Sequence, residues 1–314
     1  MNIHKYAAYF VILIPIIFVT GCGKAFVIKE PNPSSIKYTK NITKVSKLSI
    51  TDSRTGNDKK LSVGRLSAKL VGMEDEISFL GNNLEKALNS RGASIKFTSA
   101  GAGKNMELKV RKFQIRNHRS SGFSPYLTFT TFSGDLIYGN KTKRITAYFK
   151  NGKVPVWAFR EVEEPCYNVP VSIAVKEIAT KINKHVYGLR SSNQKVKSLV
   201  QEINGSSEKY TYLKVLELGY TNNPAAVPHL VKLTKHSDSM IRATAVSALG
   251  MLQAVDQLEF LKKFYATNKD TQKFMALKSI GDLGTRESKN FIMSVKKSKD
   301  YNNKMIREVV DLYL

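Results

Sequence analysis

The sequence is poor in the residues that build reactive centres. Its 314 residues include two cysteines, five histidines and one tryptophan. The histidines (His4, His118, His185, His229 and His236) show no metal-ligand spacing, so no metal site is expected. No nucleophile elbow and no Ser/His/Asp arrangement is present, and the chain reads as a non-enzyme without a cofactor. Long apolar runs are missing too. The longest, Tyr6 to Val19, falls short of the ~20 residues of a spanning helix and is interrupted by Pro15. Acidic residues are scarce: 25 Asp+Glu face 50 Lys+Arg, a net charge of +25. The excess lies mainly in residues 1–194, with 31 basic and 13 acidic side chains, against 19 and 12 in residues 195–314. Such a balance suits anionic partners (phospholipid or lipopolysaccharide headgroups, nucleic acid, acidic proteins) or a solvated lysine-rich surface.

What is there begins with order at the N-terminus. Met1, His4 and Lys5 precede the apolar run, and the small residues Thr20 and Gly21 precede Cys22. Positive, apolar, small is the order of a secretory signal over residues 1–21. Val19-Thr20-Gly21-Cys22 resembles the lipobox of bacterial lipoproteins. The resemblance implies cleavage between Gly21 and Cys22, a diacylglycerol on the Cys22 thiol, acylation of the new amino terminus, and a membrane held through that anchor. Several acyl chains anchor stably where one does not. Gly23 is not the aspartate that retains such proteins in the inner membrane, which points to the outer membrane of a diderm cell. Export of this kind disfavours nucleic acid as a partner. Residues 22–45, with Pro31, Pro33, Ser34, Ser35 and several lysines, read as a tether.

Residues 46–190 read as an α+β sandwich domain, a mostly antiparallel sheet carrying two helices. "KLSIT" (47–51) is a strand. Ile77, Leu80, Leu84 and Leu88 recur at helical spacing, with Gly92 beyond the helix end. "MELKVRKFQIR" (106–116) changes phase near Arg111-Lys112, which predicts a bulge. Further strands follow, with Asn151-Gly152 as a hairpin turn. A helix from Pro170 to Tyr187 ends at Gly188. With "SITDSR" (49–54) closing its first strand, the domain resembles YajG-type lipoproteins, which implies no catalytic residues.

Three further features are candidates for chemistry. "SAGAGKN" (99–105) has Thr98 and Asn105 where a phosphate loop needs Gly and Ser/Thr, so it reads as a turn. Cys166 is open as catalytic thiol, intermolecular disulfide or apolar filler, and lacks a histidine motif. Glu161, Glu163 and Glu164 read as a solvated loop.

From residue 195 a period of 31 appears. Gly219, Gly250 and Gly281 repeat at that interval, as do Leu199, Leu230, Leu261 and Ile292. Each unit reads as two helices with the glycine ending the second, giving four pairs (195–219, 220–250, 251–281, 282–314). "NPAAVPHLVKLTKHSDSMIRATAVSALGML" resembles HEAT repeats of the phycobilin-lyase type. That implies an all-α solenoid with a protein-binding surface along its inner helices. Arg242, Lys273 and, allowing for a three-residue insertion near Lys297–Asn303, Arg307 fall at one repeat position. They read either as a basic binding ladder or, through an Asp238–Arg242 pair, as ties within a repeat. The whole reads as an envelope adaptor for protein partners. The alternative is a ligand-binding protein whose basic first domain takes anionic lipid or polysaccharide.

Overall fold

The computed structural model describes residues 24–65, 68–98, 105–206 and 208–314. Gly21, Cys22 and most of the 99–105 stretch lie outside the described residues. Four of the strands enter the main sheet in the order β5 (Ile95–Thr98), β2 (Ser46–Asp52), β6 (Met106–His118), β7 (Tyr126–Tyr138), closed by β8 (Lys141–Lys153). β3 (Ser62–Gly64) pairs with the far half of β6. β5, β2 and β3 run parallel to their partners, whereas β6, β7 and β8 form an antiparallel meander. The expected bulge is present as a register shift between Val110 and Lys112.

The hairpin turn is not at Asn151-Gly152. Those residues pair with Thr128 and Leu127 inside β8, and the chain reverses at Gly139, which takes a left-handed φ of 53°. A favourable turn dipeptide is overridden because β7 continues far enough to pair it.

One face of the sheet packs on α1 (Glu76–Asn89) and α2 (Val169–Val186). Leu80, Leu84 and Leu88 of α1, with Val171, Val175 and Ile178 of α2, meet Leu48, Leu108, Phe132 and Ile145 in that core. Asp75 caps α1 by accepting from the Ser78 amide at 2.9 Å.

Residues 24–45, expected as a tether, are docked. β1 (Lys24–Val27) pairs in parallel with β4 (Ala68–Val71). Phe26, Ile28, Ile36 and Tyr38 are buried, and Phe26 stacks on Tyr167 at 4.6 Å. Four apolar side chains supply enough burial to order a segment whose prolines alone suggest irregularity. The strap then crosses to the helical part. Ser35 donates to Glu217 at 2.5 Å, and Tyr38 to the Tyr220 carbonyl at 3.4 Å.

The helical part holds the four expected pairs: α3 (Asn193–Asn204) with α4 (Thr211–Tyr220), α5 (Val227–Leu233) with α6 (Ser239–Met251), α7 (Leu258–Thr267) with α8 (Asp270–Leu283), and α9 (Arg286–Lys297) with α10 (Lys304–Asp311). The insertion in the last unit forms a short 3-10 turn over Lys299–Asn302. The periodic glycines lie in the last turns of α4, α6 and α8, one or two residues before those helices end. A methyl group on Gly250 would stand 2.6 Å from Ser279 Cα, and one on Gly219 2.6 Å from Met251 Cε. At Gly250 the next second helix approaches too closely for a side chain, whereas at Gly219 the nearest atom is the flexible end of Met251, with Ala248 Cβ at 3.2 Å.

The two rows of helices differ in burial. First helices bury a single stripe, such as Val196, Leu199 and Ile203 on α3. By contrast, α6 is buried continuously from Ala243 to Met251, and α8 from Phe274 to Ile280. A helix covered all round has partners on two sides. Here they are the first-helix row and the sheet domain. The second helices lie along β8 and over the sheet face opposite α1, burying Phe129, Tyr148, Thr131, Ser133 and Thr146. An edge strand that would otherwise be open to pairing is thereby covered.

Candidate functional site at the sheet–solenoid junction

Two helices each bring an acid and a lysine, spaced i,i+4, to the junction: Glu177 and Lys181 on α2, Lys278 and Asp282 on α8. Lys181 Nζ lies 2.6 Å from Asp282 Oδ1, and Lys278 Nζ 2.9 Å from Asp282 Oδ2. Glu177 Oε1 is 2.7 Å from Lys181 and 2.5 Å from Lys278, contacts of charge rather than aligned hydrogen bonds. All four side chains are buried. Neighbours add hydrogen bonds to the two lysines and to Asp282. Lys181 donates to the Thr146 carbonyl at 2.7 Å, Lys278 to Ser247 Oγ at 3.2 Å, and the Tyr313 and Thr146 hydroxyls to Asp282 at 2.7 and 2.8 Å.

Burial opposes the charge on Asp282, but the two ammonium groups prevail and hold its carboxyl down at about 2. Burial also opposes the charge on Lys278, and the acids overcome it, moving that group upward. Two positive and two negative charges balance, so the cluster latches α8 to α2. A second pair joins the last repeat to the sheet. Arg116 of β6 binds Glu308 of α10 at 2.8 and 3.0 Å and lies over the Phe129 ring at 4.1 Å. Ser133 and Arg144 donate to the Leu312 carbonyl at 2.9 and 3.1 Å.

Beside the latch opens a cleft of about 480 Å³. Lys143, Lys184, His185 and Lys289 line it, with Met251, Ile292 and Met293 as apolar wall. Lys184 donates to the Leu252 carbonyl at 3.0 Å. Burial lowers His185 to about 4, helped by the charges of Lys143, Lys181 and Lys184, so its ring is neutral at physiological pH. The cleft field is positive, since its one acid, Asp282, is already matched by two lysines. A second groove, of about 550 Å³, lies on the outer row between α3 and α5. Val200, Ile203 and Leu233 floor it, and His229, Lys232, Lys235 and His236 surround them.

The residues singled out in the sequence are dispersed. Arg242 donates to the carbonyls of His236 and Ser237 at 2.7 and 2.6 Å, and to Gln272 of the next repeat at 3.2 Å. The Asp238 carboxylate turns to the helix N-terminus, accepting from Met240 and Ile241. Lys273 pairs with Asp300 at 2.9 Å and covers the Tyr265 ring, whereas Arg307 is exposed over Tyr301. At the first two positions the ladder joins one repeat to the next. Cys166 is fully buried; burial pushes its thiol up to about 12, which leaves it a protonated filler. Glu161 pairs with Lys153 and Glu164 with Lys29. His118 is exposed, and no metal-competent cluster of His, Cys, Asp and Glu occurs among the described residues. The four latch residues were missed. Their signal was an i,i+4 charge pair in the C-terminal half of α8, overlapping the buried run Phe274–Ile280.

The comparison with protein families reads the helical part the same way. Residues 196–280 match the family model of HEAT repeats. Over that stretch the solenoid is similar to HEAT repeats. The match runs from within α3 to most of α8, and the fourth helix pair lies beyond it. HEAT repeats are generally protein-interaction modules. No curated protein matches the chain significantly.

Proposed function

We propose that this protein is an exported lipoprotein, cut before Cys22 and anchored there, whose HEAT-repeat array recruits a protein partner along its outer helices. The observation that carries the choice of surface is the covering of the second-helix row by the protein's own sheet. The usual inner surface is occupied from within, which leaves the outer row for partners. The groove between α3 and α5, apolar beneath and basic at its rim, suits a partner segment with apolar side chains flanked by acids. Such an anchor confines the array to one surface and raises its effective concentration for partners there. Among the described residues no helix is long and apolar enough to cross a membrane.

Reversing the exposed rim charges, Lys232→Glu with Lys235→Glu, is expected to abolish in-cell crosslinks to the partner while the protein stays in the membrane fraction. Crosslinks of unchanged pattern and yield would sink the outer-groove assignment.

A second reading, an anion-binding envelope protein, is favoured by the junction cleft. Lys143 and Lys289 face it from the sheet domain and from the solenoid, and Lys184 from α2. Lipid or polysaccharide phosphate is the ligand class that such a field attracts. Titration with a phosphorylated lipopolysaccharide fragment should show binding that weakens with salt, and by about tenfold in Lys143→Glu with Lys289→Glu. Binding indifferent to both salt and substitution would exclude the cleft.

A further inference from the structure

We infer that the end of the sheet where the chain enters the fold is a membrane-contact face, built on Phe123 and Trp157. This inference rests on the lipid-anchored reading above and assigns it an orientation. Phe123 is 99% exposed and Trp157 85%, the two largest exposures among large apolar side chains of the described residues. Val154, 57% exposed, lies between Trp157 and the end of β8.

Three connections bring these residues to one end. The loop joining β6 to β7 carries Phe123, and Trp157 follows directly after β8. The strand register sets His118 opposite Leu127 and Tyr126 opposite Lys153, so both loops leave the same end of the meander. The third connection concerns the entry of the chain. Gly64, the last residue of β3, pairs with Asn117 at that end, and Arg65 donates to the carbonyls of Arg119 and Ser120 at 3.1 and 2.9 Å. Ala68, four residues beyond Gly64, pairs with Lys24. Cys22 is two residues before Lys24, within about 8 Å along the chain. A bilayer holding the Cys22 lipid therefore lies against the end that presents Phe123 and Trp157.

The chemistry of the face fits that occupant. An exposed tryptophan with an apolar body and a polar N–H suits the headgroup level of a bilayer. Arg119 braces the Phe123 loop by donating to the carbonyls of Gly122 and Ser124. Arg65 and Arg160 are exposed beside it. The acids are partly matched: Glu161 by Lys153 and Glu164 by Lys29, leaving Glu163. Cations at this end favour an anionic leaflet, and the aromatic side chains supply the insertion.

Trp157 is the sole tryptophan, so its fluorescence reports on this face alone. The test uses residues 22–314 carrying Cys22→Ser, hence without lipid, and vesicles of phosphatidylglycerol and phosphatidylethanolamine. The expected result is a blue shift of Trp157 emission, protection from acrylamide, and vesicle binding weakened about tenfold or more by Phe123→Asp. Trp157 emission and quenching unchanged at saturating vesicle concentration would overturn the inference. The intact mass of the mature wild-type chain reads lipidation separately. An unmodified Cys22 there overturns the anchored reading, and vesicle binding by the lipid-free chain still decides the membrane face.

Discussion

A chain ended after Ser192 is expected to emerge as an aggregating, loosely packed species rather than as a folded first domain. Residue spacing divides the sequence cleanly near 190, and truncation there looks safe on paper. In the structure the cut uncovers Phe129 and Tyr148, which the second helices bury, along with Thr131, Ser133 and Thr146. It also removes Lys278 and Asp282 from Glu177 and Lys181, and Glu308 from Arg116. Returning the apolar surface of Phe129 and Tyr148 to water forfeits about 25 cal/mol per Å² exposed, and ordinary domains are stable by only about 5–15 kcal/mol. Near-UV circular dichroism and binding of an apolar dye distinguish the outcomes. A cooperative melt with native near-UV signal in residues 24–192 would show that the latch is dispensable to the sheet domain. Until then, point substitutions on the surface are the sound way to test partners.

Replacing Asp282 with alanine should be the most damaging single change at the junction. It leaves Lys278, fully buried, and Lys181 facing Glu177 alone. The expected loss is about 3–5 kcal/mol, a fall in melting temperature of roughly 5–8 °C at this chain length. Lys278→Met with Asp282→Leu should recover much of it, because the desolvation of both charges goes with them. The pH dependence has a definite sign. The Asp282 carboxyl is lowered from the usual 3.8 to about 2 in the folded protein. Its stabilisation is complete above pH ~4 and is lost as pH falls toward 2. Denaturant midpoints measured across that window should fall for the native chain and change less in Asp282→Asn. A flat acid limb in the native chain, or a loss below about 1 kcal/mol in Asp282→Ala, would contradict the latch.

Much of this architecture was legible from spacing. The 31-residue period marked four helix pairs, and the phase change at Arg111-Lys112 marked the bulge. The glycine column was visible too, but its reason was not, because helix ending and helix approach both require glycine and only packing separates them. Docking of the solenoid on the sheet was hidden by chemistry. Thr131, Ser133 and Thr146 are polar and Lys278 and Asp282 charged, residue types that spacing alone does not assign to a core. The clue lay in α6, "SMIRATAVSALGM", which has too few polar residues for a helix open to water on one side. The strap was misread because Pro31 and Pro33 drew attention from Phe26, Ile28, Ile36 and Tyr38.

The pairing of β1 with β4 has a mechanical meaning. The two strands run parallel in register from Lys24–Ala68 to Val27–Val71, so a pull along the chain before Lys24 loads the ladder in shear. Its rungs then share the tension instead of parting one after another, as they would in a hairpin peeled from its end. Beyond those rungs, the contacts of Ser35 and Tyr38 with α4 pass the load into the first repeat. Tension at the entry of the chain therefore reaches both halves of the molecule together.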